Sequence, residues 1–380
     1  MSSQTPKILL LGATGYIGGS VLHHLLCHPF LTSVITSTNP ITTPIRGSPD
    51  RLAKLTENYG SRVNPTLISS LDDVDAITEI ASKHDIVINA GSGFHPPSAE
   101  GVVLGLAKRK AETSAPVWVI HTSGCSNISD NPVTGVGRPN VEYDDANADE
   151  VFAFEEAENK NEWYAQRASE LIVLRTGDDL NVNAVSIQAP IIFGTGTGLF
   201  QQAGLMIPLT MAFVLEQGYA FSCGNGTGVF DWVHIADLAD LYVLCVLNII
   251  QTGGENIPTG RRGIIFPAVG RALATDVAKK CLDLAFANGN LPKEGTPQAK
   301  ETHQLSIEDA AAKLAAGNIA VTEKTYAGHR KMKGTIARRN LGWKPRHLKD
   351  AWEMDFDTEL RAALNGQRMS TVASCLAAAK

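Results

Sequence analysis

The chain has 380 residues, 44% apolar and 19% charged, which is enough apolar material for a large buried core and argues against disorder. A net charge of -6 with scattered Lys and Arg lacks the basic footprint of phosphate-backbone binding, so nucleic acid is not an expected partner. The opening "MSSQTPK" carries no basic leader and no uninterrupted apolar run reaches the membrane-spanning length of about 18 residues; a cytoplasmic chain that meets no membrane is expected.

The first informative stretch is "KILLLGATGYIGGSVLHHLL", residues 7–26. Ile8 to Gly12 reads as a strand buried on both faces, and a helix follows from about Gly15 to His28. The second strand has two candidates, Ser33 to Thr36 and Ile41 to Arg46. The later one is favoured because "IRGSPDRLAKL" supplies a turn and a helix start, although Pro44 suits a sheet edge better than its centre. Then come "RVNPTLISSL" (strand), "DDVDAITEIASKH" (helix), "DIVINAGS" (strand), "PSAEGVVLGLAKRKAETS" (helix) and "PVWVIHTSG" (strand). This alternation is the sequence form of a doubly wound parallel sheet.

Beyond Gly124 the chain turns polar and acidic, a surface excursion ending in the helix of "EWYAQRASELIVL". "VNAVSIQAPIIFGTGTG" reads as a sixth strand running into a glycine-rich turn. A helix near Leu199 to Gln217, "FDWVHIADLADLYVLCVLNII", a strand "GIIFPAV", a helix from Ala272 to Ala287 and a closing helix in "LKDAWEMDFDTELRAAL" follow, with "GNLPKEGTPQAKETHQ" the most linker-like stretch. The expected α/β architecture is a Rossmann-type doubly wound sheet over 1–198 and a smaller, mostly C-terminal substrate lobe over 199–380, some of whose segments return to the core.

In the glycine stretch, a strand, a tight turn and a helix N-terminus bring backbone N–H groups and the positive end of a helix dipole to one spot. Gly12 lets the chain turn, Gly15 lets a pyrophosphate approach and Gly18 lets the helix pack on the strand; Thr14, Tyr16 and Ile17 complete the candidate cradle. A basic residue after the second strand accommodates a 2′-phosphate, so Arg46, with Ser48 nearby, points to NADP(H). If the earlier strand were right, Thr36, Ser37 and Asn39 would stand there and selectivity would be open. The six cysteines, Cys27, Cys125, Cys223, Cys245, Cys281 and Cys375, have no CxxC spacing. Most read as small core residues, Cys125 alone lying beside a candidate site.

"GATGYIGG", "DIVINAG", "VIHTSG", "IQAPIIFGTGTG", "DWVHIADLADLYV" and "ARRNLGWKP" together resemble the short-chain dehydrogenase/reductase superfamily, in its extended and atypical branch. The fit is closest to fungal-type NAD-dependent epimerase/dehydratase or NmrA-like members. The resemblance implies an adenine pocket at Ser70 and Leu71, cofactor contacts at Ala90, Gly91 and Ser92, and a nicotinamide side at Pro190 and Ile192. It also implies a substrate-orienting serine, Ser123, and a YxxxK pair whose tyrosine is the proton donor.

Here the pattern departs. Tyr164 is the one tyrosine of its helix and Ala168 stands four residues on; aligning Glu170 with the family's acidic residue instead puts Glu162 and Gln166 at the two positions. Arg167, one helical turn from Tyr164, offers a charge that does not titrate as lysine does. His95, His121 and His234 read as structural, and no spacing suggests a metal site; His24 and His28 belong to the packed helix. The resemblance implies NADPH-dependent carbonyl reduction, or a related redox step, on a small organic, specialised-metabolite substrate. The alternatives are a non-redox isomerase or cyclase on the same fold, or an NmrA-like NADP(H) sensor; the oligomeric state is open.

Overall fold

The computed structural model describes residues 5–47, 49–91 and 93–366; Ser48, Ser92 and Cys375 lie outside the described residues. In chain order the first half comprises β1 (Ile8–Leu11), α1 (Tyr16–Cys27), β2 (Ile41–Ile45), α2 (Pro49–Tyr59), β3 (Val63–Leu67), α3 (Val74–Ala81), β4 (Ile86–Asn89), α4 (Pro96–Thr113) and β5 (Trp118–Gly124). It continues with β6 (Tyr143–Asp144), α5 (Ala148–Asn161), α6 (Ala165–Leu180), β7 (Asn183–Ala189) and β8 (Ile191–Phe193). The second half comprises α7 (Met206–Gln217), β9 (Ala220–Cys223), β10 (Val229–His234), α8 (Ile235–Thr252), β11 (Ile264–Ile265), β12 (Gly270–Leu273) and α9 (Ala274–Ala287). Then follow β13 (Thr302–Leu305), α10 (Ile307–Leu314), α11 (Ile319–Thr322), a π-helical turn Glu323–Ala327, β14 (His329–Arg330), β15 (Met332–Lys333), α12 (Ile336–Leu341) and α13 (Lys349–Leu364).

A seven-stranded sheet in the order β11-β7-β5-β4-β1-β2-β3 forms the centre, and all of its pairings are parallel. The order reverses between β1 and β4, and open sheets of this kind bind ligands outside the strands' carboxyl ends at that point. Every residue of β1 and β4 is buried because helices cover both faces, which is why these strands read as unbroken apolar runs. β2 is Ile41–Ile45, the later candidate, and pairs with both β1 and β3. The earlier candidate falls on a single 3₁₀ turn, Phe30–Ser33, and the bend after it.

The helices start where side chains satisfy their first N–H groups. Asp73 accepts from Ala76 at α3, the His95 ring from Ser98 at α4 and the His234 ring from Ala236 at α8. α8 is long and apolar enough to cross a membrane, but its apolarity is spent inside the molecule. Leu238, Leu241, Tyr242, Cys245 and Val246 are fully buried in the core that also holds Val21 and Leu22 of α1.

Three expectations need correction. The sixth strand is not continuous, because Pro190 offers no N–H to a ladder. β7 stays in the central sheet while β8 leaves to pair with β10 in a smaller one. The helix expected from Leu199 begins only at Met206, after the glycine loop has closed over α1. The polar segment after Gly124 is not a surface excursion throughout, since Asn127, Ser129 and Asp130 are buried. The Asp130 carboxylate is satisfied by the His329 amide at 2.6 Å and its ring at 2.7 Å, so this loop locks onto β14.

Sequence position alone does not divide the molecule. β11 returns to the edge of the central sheet, whereas β8 and β10 join β12 and β14 in the smaller sheet. A separate apolar core fills that second lobe, centred on the Trp232 and Trp352 rings stacked 5.3 Å apart.

Candidate active site

The cradle at the switch point is built by close backbone approach. Gly12 has φ +87°, and a Cβ there would stand 2.2 Å from the Ala90 carbonyl oxygen. A Cβ on Gly18 would stand 2.2 Å from the Gly12 oxygen. Side chains are thus excluded where the β1 turn, the end of β4 and the start of α1 meet. Gly15 donates to the Gly12 carbonyl at 2.8 Å and stands at the N-cap of α1, with no side chain capping that end. Such a terminus, with free N–H groups and a backbone that admits close approach, fits the pyrophosphate of a dinucleotide.

Thr14 and Ile17 are partly exposed on this turn. Tyr16 is committed differently, donating its hydroxyl to Gly194 O at 2.5 Å, so it straps the glycine loop over α1. Burial, then the Asp355 and Glu359 carboxylates, raise its proton affinity well above that of a free phenol. Arg46 follows β2 directly, and the Arg51 guanidinium reaches its carbonyl at 3.5 Å. Burial and then Arg51 lower the Arg46 pKa, as expected for two cations held together. Ser70 Oγ accepts from the Asp72 amide, and Leu71 and Ala90 are buried. Gly91 is exposed, Pro190 is buried where β7 passes into β8, and Ile192 is half-buried in β8. Ser92 lies outside the described residues.

The fifth strand ends in two serines with different fates. Ser123 is buried and donates to Glu170 Oε2 at 2.9 Å, while Asn127 Nδ2 donates to both Ser123 and Glu170. Glu155, buried near Glu170, accepts from Gln188 at 2.8 Å. Burial pushes both carboxyl groups up, and the neighbouring Glu170 charge pushes Glu155 up further. Ser123 is therefore anchored in a buried polar network. Ser126 is partly exposed, donates to Gln166 Oε1 and stands near enough to Tyr164 to lower its pKa.

Tyr164 is the N-cap residue of α6, its ring packed edge-on against Phe94 at 5.8 Å. Burial raises its pKa to about 12, opposed by the Ser126 hydroxyl and by Arg167 and Arg330. Lys324 comes from the π-helical turn of the second lobe. Its Nζ stands 5.3 Å from the Tyr164 ring centroid and donates to Asn131 and Glu162 at 2.9 Å each. Burial lowers the Lys324 pKa, with Glu162 opposing. Burial alone would raise Glu162, but its bonds from Asn131 and Lys324 hold it below the usual carboxyl value. Glu323 pins the turn by accepting from Val133 N and Thr134 N at 2.7 and 2.9 Å. Gln166 lies against Gly124, where a Cβ would meet its Nε2 at 2.7 Å.

Two of the histidines singled out in the sequence are engaged in local contacts. His121 is buried, its pKa lowered to about 4 by burial, and bonded to Asn89 at 3.2 Å; His95 caps α4 and pairs with Asp72. A cavity of about 300 Å³ lined by Asp145, Asp149, Thr259, Arg262 and Arg339 lies beyond the β11 edge and away from both Gly12 and Tyr164. Sequence reasoning passed over Ser126, Lys324 and Arg330. Ser126 is legible as a second serine in "TSGCS", whereas Lys324 and Arg330 are brought in by tertiary folding alone.

Residues 8–257 match the model of the NAD dependent epimerase/dehydratase family. The chain is 25% identical over 353 residues to the oxidase ucsJ of an Acremonium species, covering 90% of this chain and 93% of that one. It is 22% identical over 265 residues to the decarboxylating sterol-4-alpha-carboxylate 3-dehydrogenase of Candida albicans, covering 69% and 70%. In fold it is similar to a dTDP-glucose 4,6-dehydratase of Streptomyces venezuelae solved with NAD, with a TM-score of 0.60 at 13% identity over 95% of this chain and 98% of that one. The strand, glycine turn and helix at the switch point lie within the matched residues, and the chain is a member of the NAD-dependent epimerase/dehydratase family.

Proposed function

We propose that this protein is an NADP(H)-dependent oxidoreductase that interconverts an alcohol and a carbonyl on a small organic, specialised-metabolite substrate. The observation that carries the reading is Tyr164, set near Ser126 with the Arg167 and Lys324 cations over its ring just beyond the carboxyl end of β5, in the same sheet as the side-chain-free cradle at Gly12. An oxidase and a dehydrogenase among the relatives support redox chemistry. Arg46 just after β2 and Arg51 in the first turn of α2 support a 2′-phosphate, since two neighbouring cations gain from an anion between them.

Gly12, Gly15 and the first turn of α1 would hold the pyrophosphate, and Pro190 and Ile192 would flank the nicotinamide. The nicotinamide group, when bound, supplies or accepts a hydride at its C4. Tyr164 holds the proton that the substrate oxygen gains as a carbonyl becomes an alcohol, and Ser126 orients that oxygen through its own hydroxyl. Burial keeps the Tyr164 proton in place, while Lys324 and Arg167, over the ring, favour the phenolate that forms when the proton leaves. The work of the missing i+4 lysine thus falls to cations brought by folding. Anaerobic incubation with NADPH and a panel of ketones, or with NADP+ and the matching alcohols, should change nucleotide absorbance in step with product. Product formed without any net nucleotide change would instead establish an isomerase or cyclase.

A further inference from the structure

Cations from separate parts of the chain gather at Tyr164: Arg167 of α6, Lys324 of the π-helical turn and Arg330 of β14. The Arg167 guanidinium lies 5.8 Å from the ring centroid and the Lys324 ammonium 5.3 Å. Arg330 acts on the same tyrosine and touches Cys125 Sγ at 3.6 Å. Burial of a charge is costly unless it is paired, yet all of these residues are buried.

Their pairing is unequal. Lys324 has Glu162 at 2.9 Å, whereas among the described residues neither arginine makes an ion pair. Arg167 donates to the carbonyls of Asn127 and Glu162, at 2.9 and 3.2 Å, and feels the Glu155 and Glu162 carboxylates only at longer range. Arg330 donates to the Thr325 carbonyl at 2.7 Å and lies over the Phe230 ring. One nitrogen of each, Arg167 Nη2 and Arg330 Nε, is buried with no hydrogen-bond partner. Two buried guanidiniums around one candidate catalytic tyrosine, each with a nitrogen left without a partner, point to a receptor for an anion.

The cofactor's own phosphates do not answer this need, because their cradle is built by β1 and α1 and neither arginine belongs to it. We infer that the substrate itself carries a carboxylate near the reacting carbon, received by Arg330 and Arg167, a conclusion that rests on the oxidoreductase reading and narrows its substrate class. A carboxylate fits better than a phosphate. Each guanidinium has one nitrogen left without a partner, so together they match two carboxylate oxygens, whereas a phosphate dianion brings three oxygens and twice the charge.

The experiment uses the full chain preloaded with NADP+ and compares binding of 3-hydroxy-3-phenylpropanoate with that of its methyl ester by calorimetry, with phenyl phosphate as a further probe. The acid should bind at least about tenfold more tightly than the ester, as expected for a desolvated charge pair. Arg330→Gln should remove that preference while NADP+ binding, measured on the same sample, is retained. The acid-to-ester ratio of the unaltered protein stands even if the variant fails to fold. Equal binding of acid and ester, binding of neither, tighter binding of phenyl phosphate, or a preference that survives in a folded Arg330→Gln would each overturn the inference. Failure of NADP+ itself to bind would instead remove the oxidoreductase reading on which it rests.

Discussion

Ser123 and Ser126 are three residues apart, yet burial separates their roles. Ser123 donates into the Glu170, Asn127 and Glu155 network, so Ser123→Ala leaves buried acceptors short of a donor. The expected cost is about 1–3 kcal/mol of stability, seen as a lower midpoint in urea, with nucleotide affinity unchanged. Ser126→Ala should do the reverse, leaving the urea midpoint within about 0.5 kcal/mol of the unaltered protein while turnover falls about 10²-fold. Loss of turnover in Ser123→Ala without loss of stability would reverse these assignments. At the cradle, Gly12→Ala places a methyl group 2.2 Å from the Ala90 oxygen at a φ of +87°. Nucleotide binding should be abolished and the melting temperature lowered; a variant that binds as tightly as the parent would contradict the cradle.

At the scale of elements, α13 carries a pH response. Asp355 and Glu359 sit one turn apart on its buried face, where burial raises them to about 6 and about 7, and Asp355 accepts from Gly194 N at 3.2 Å. A carboxyl whose pKa is higher folded than unfolded makes the folded state the better proton binder. Stability from this pair is therefore full below the unfolded values near 4 and is lost as pH rises to about 7. His121 and His234, both lowered to about 4, act oppositely and lose stability as pH falls below about 6.5. The difference between variant and parent isolates the carboxyl contribution. Glu359→Gln should be more stable than the parent by on the order of 1–2 kcal/mol at pH 8 and no more stable at pH 4.5. A difference that does not vary with pH would contradict it.

Elements also show what was legible beforehand. Strands buried on both faces, such as β1, β4 and β5, read directly from their apolar runs, and the later choice for β2 followed from the turn and helix start behind it. The break at Pro190 was visible as a residue, but where β8 goes depends on its pairing with β10, which no local signal carries. The glycine cradle was legible because local backbone geometry demands it. The cations around Tyr164 were not, since Lys324 and Arg330 lie more than 150 positions away along the chain.

On the scale of the whole molecule, the candidate catalytic tyrosine is surrounded by both lobes, with Ser126 and Arg167 from one and Lys324 and Arg330 from the other. The Asp130–His329 contact and the Lys324–Glu162 bridge tie them together at the same place. A dinucleotide bound at the switch point adds to the stability of the folded chain alone, so saturating nucleotide at about 100 times its dissociation constant contributes about 2.7 kcal/mol. The most direct measurement is a fluorescence titration of the full chain with NADPH and with NADH, repeated on Arg46→Ala. The expected result is tight NADPH binding that weakens selectively in the variant, with NADH binding unaffected. Binding of neither nucleotide to the unaltered protein would contradict the account at its centre.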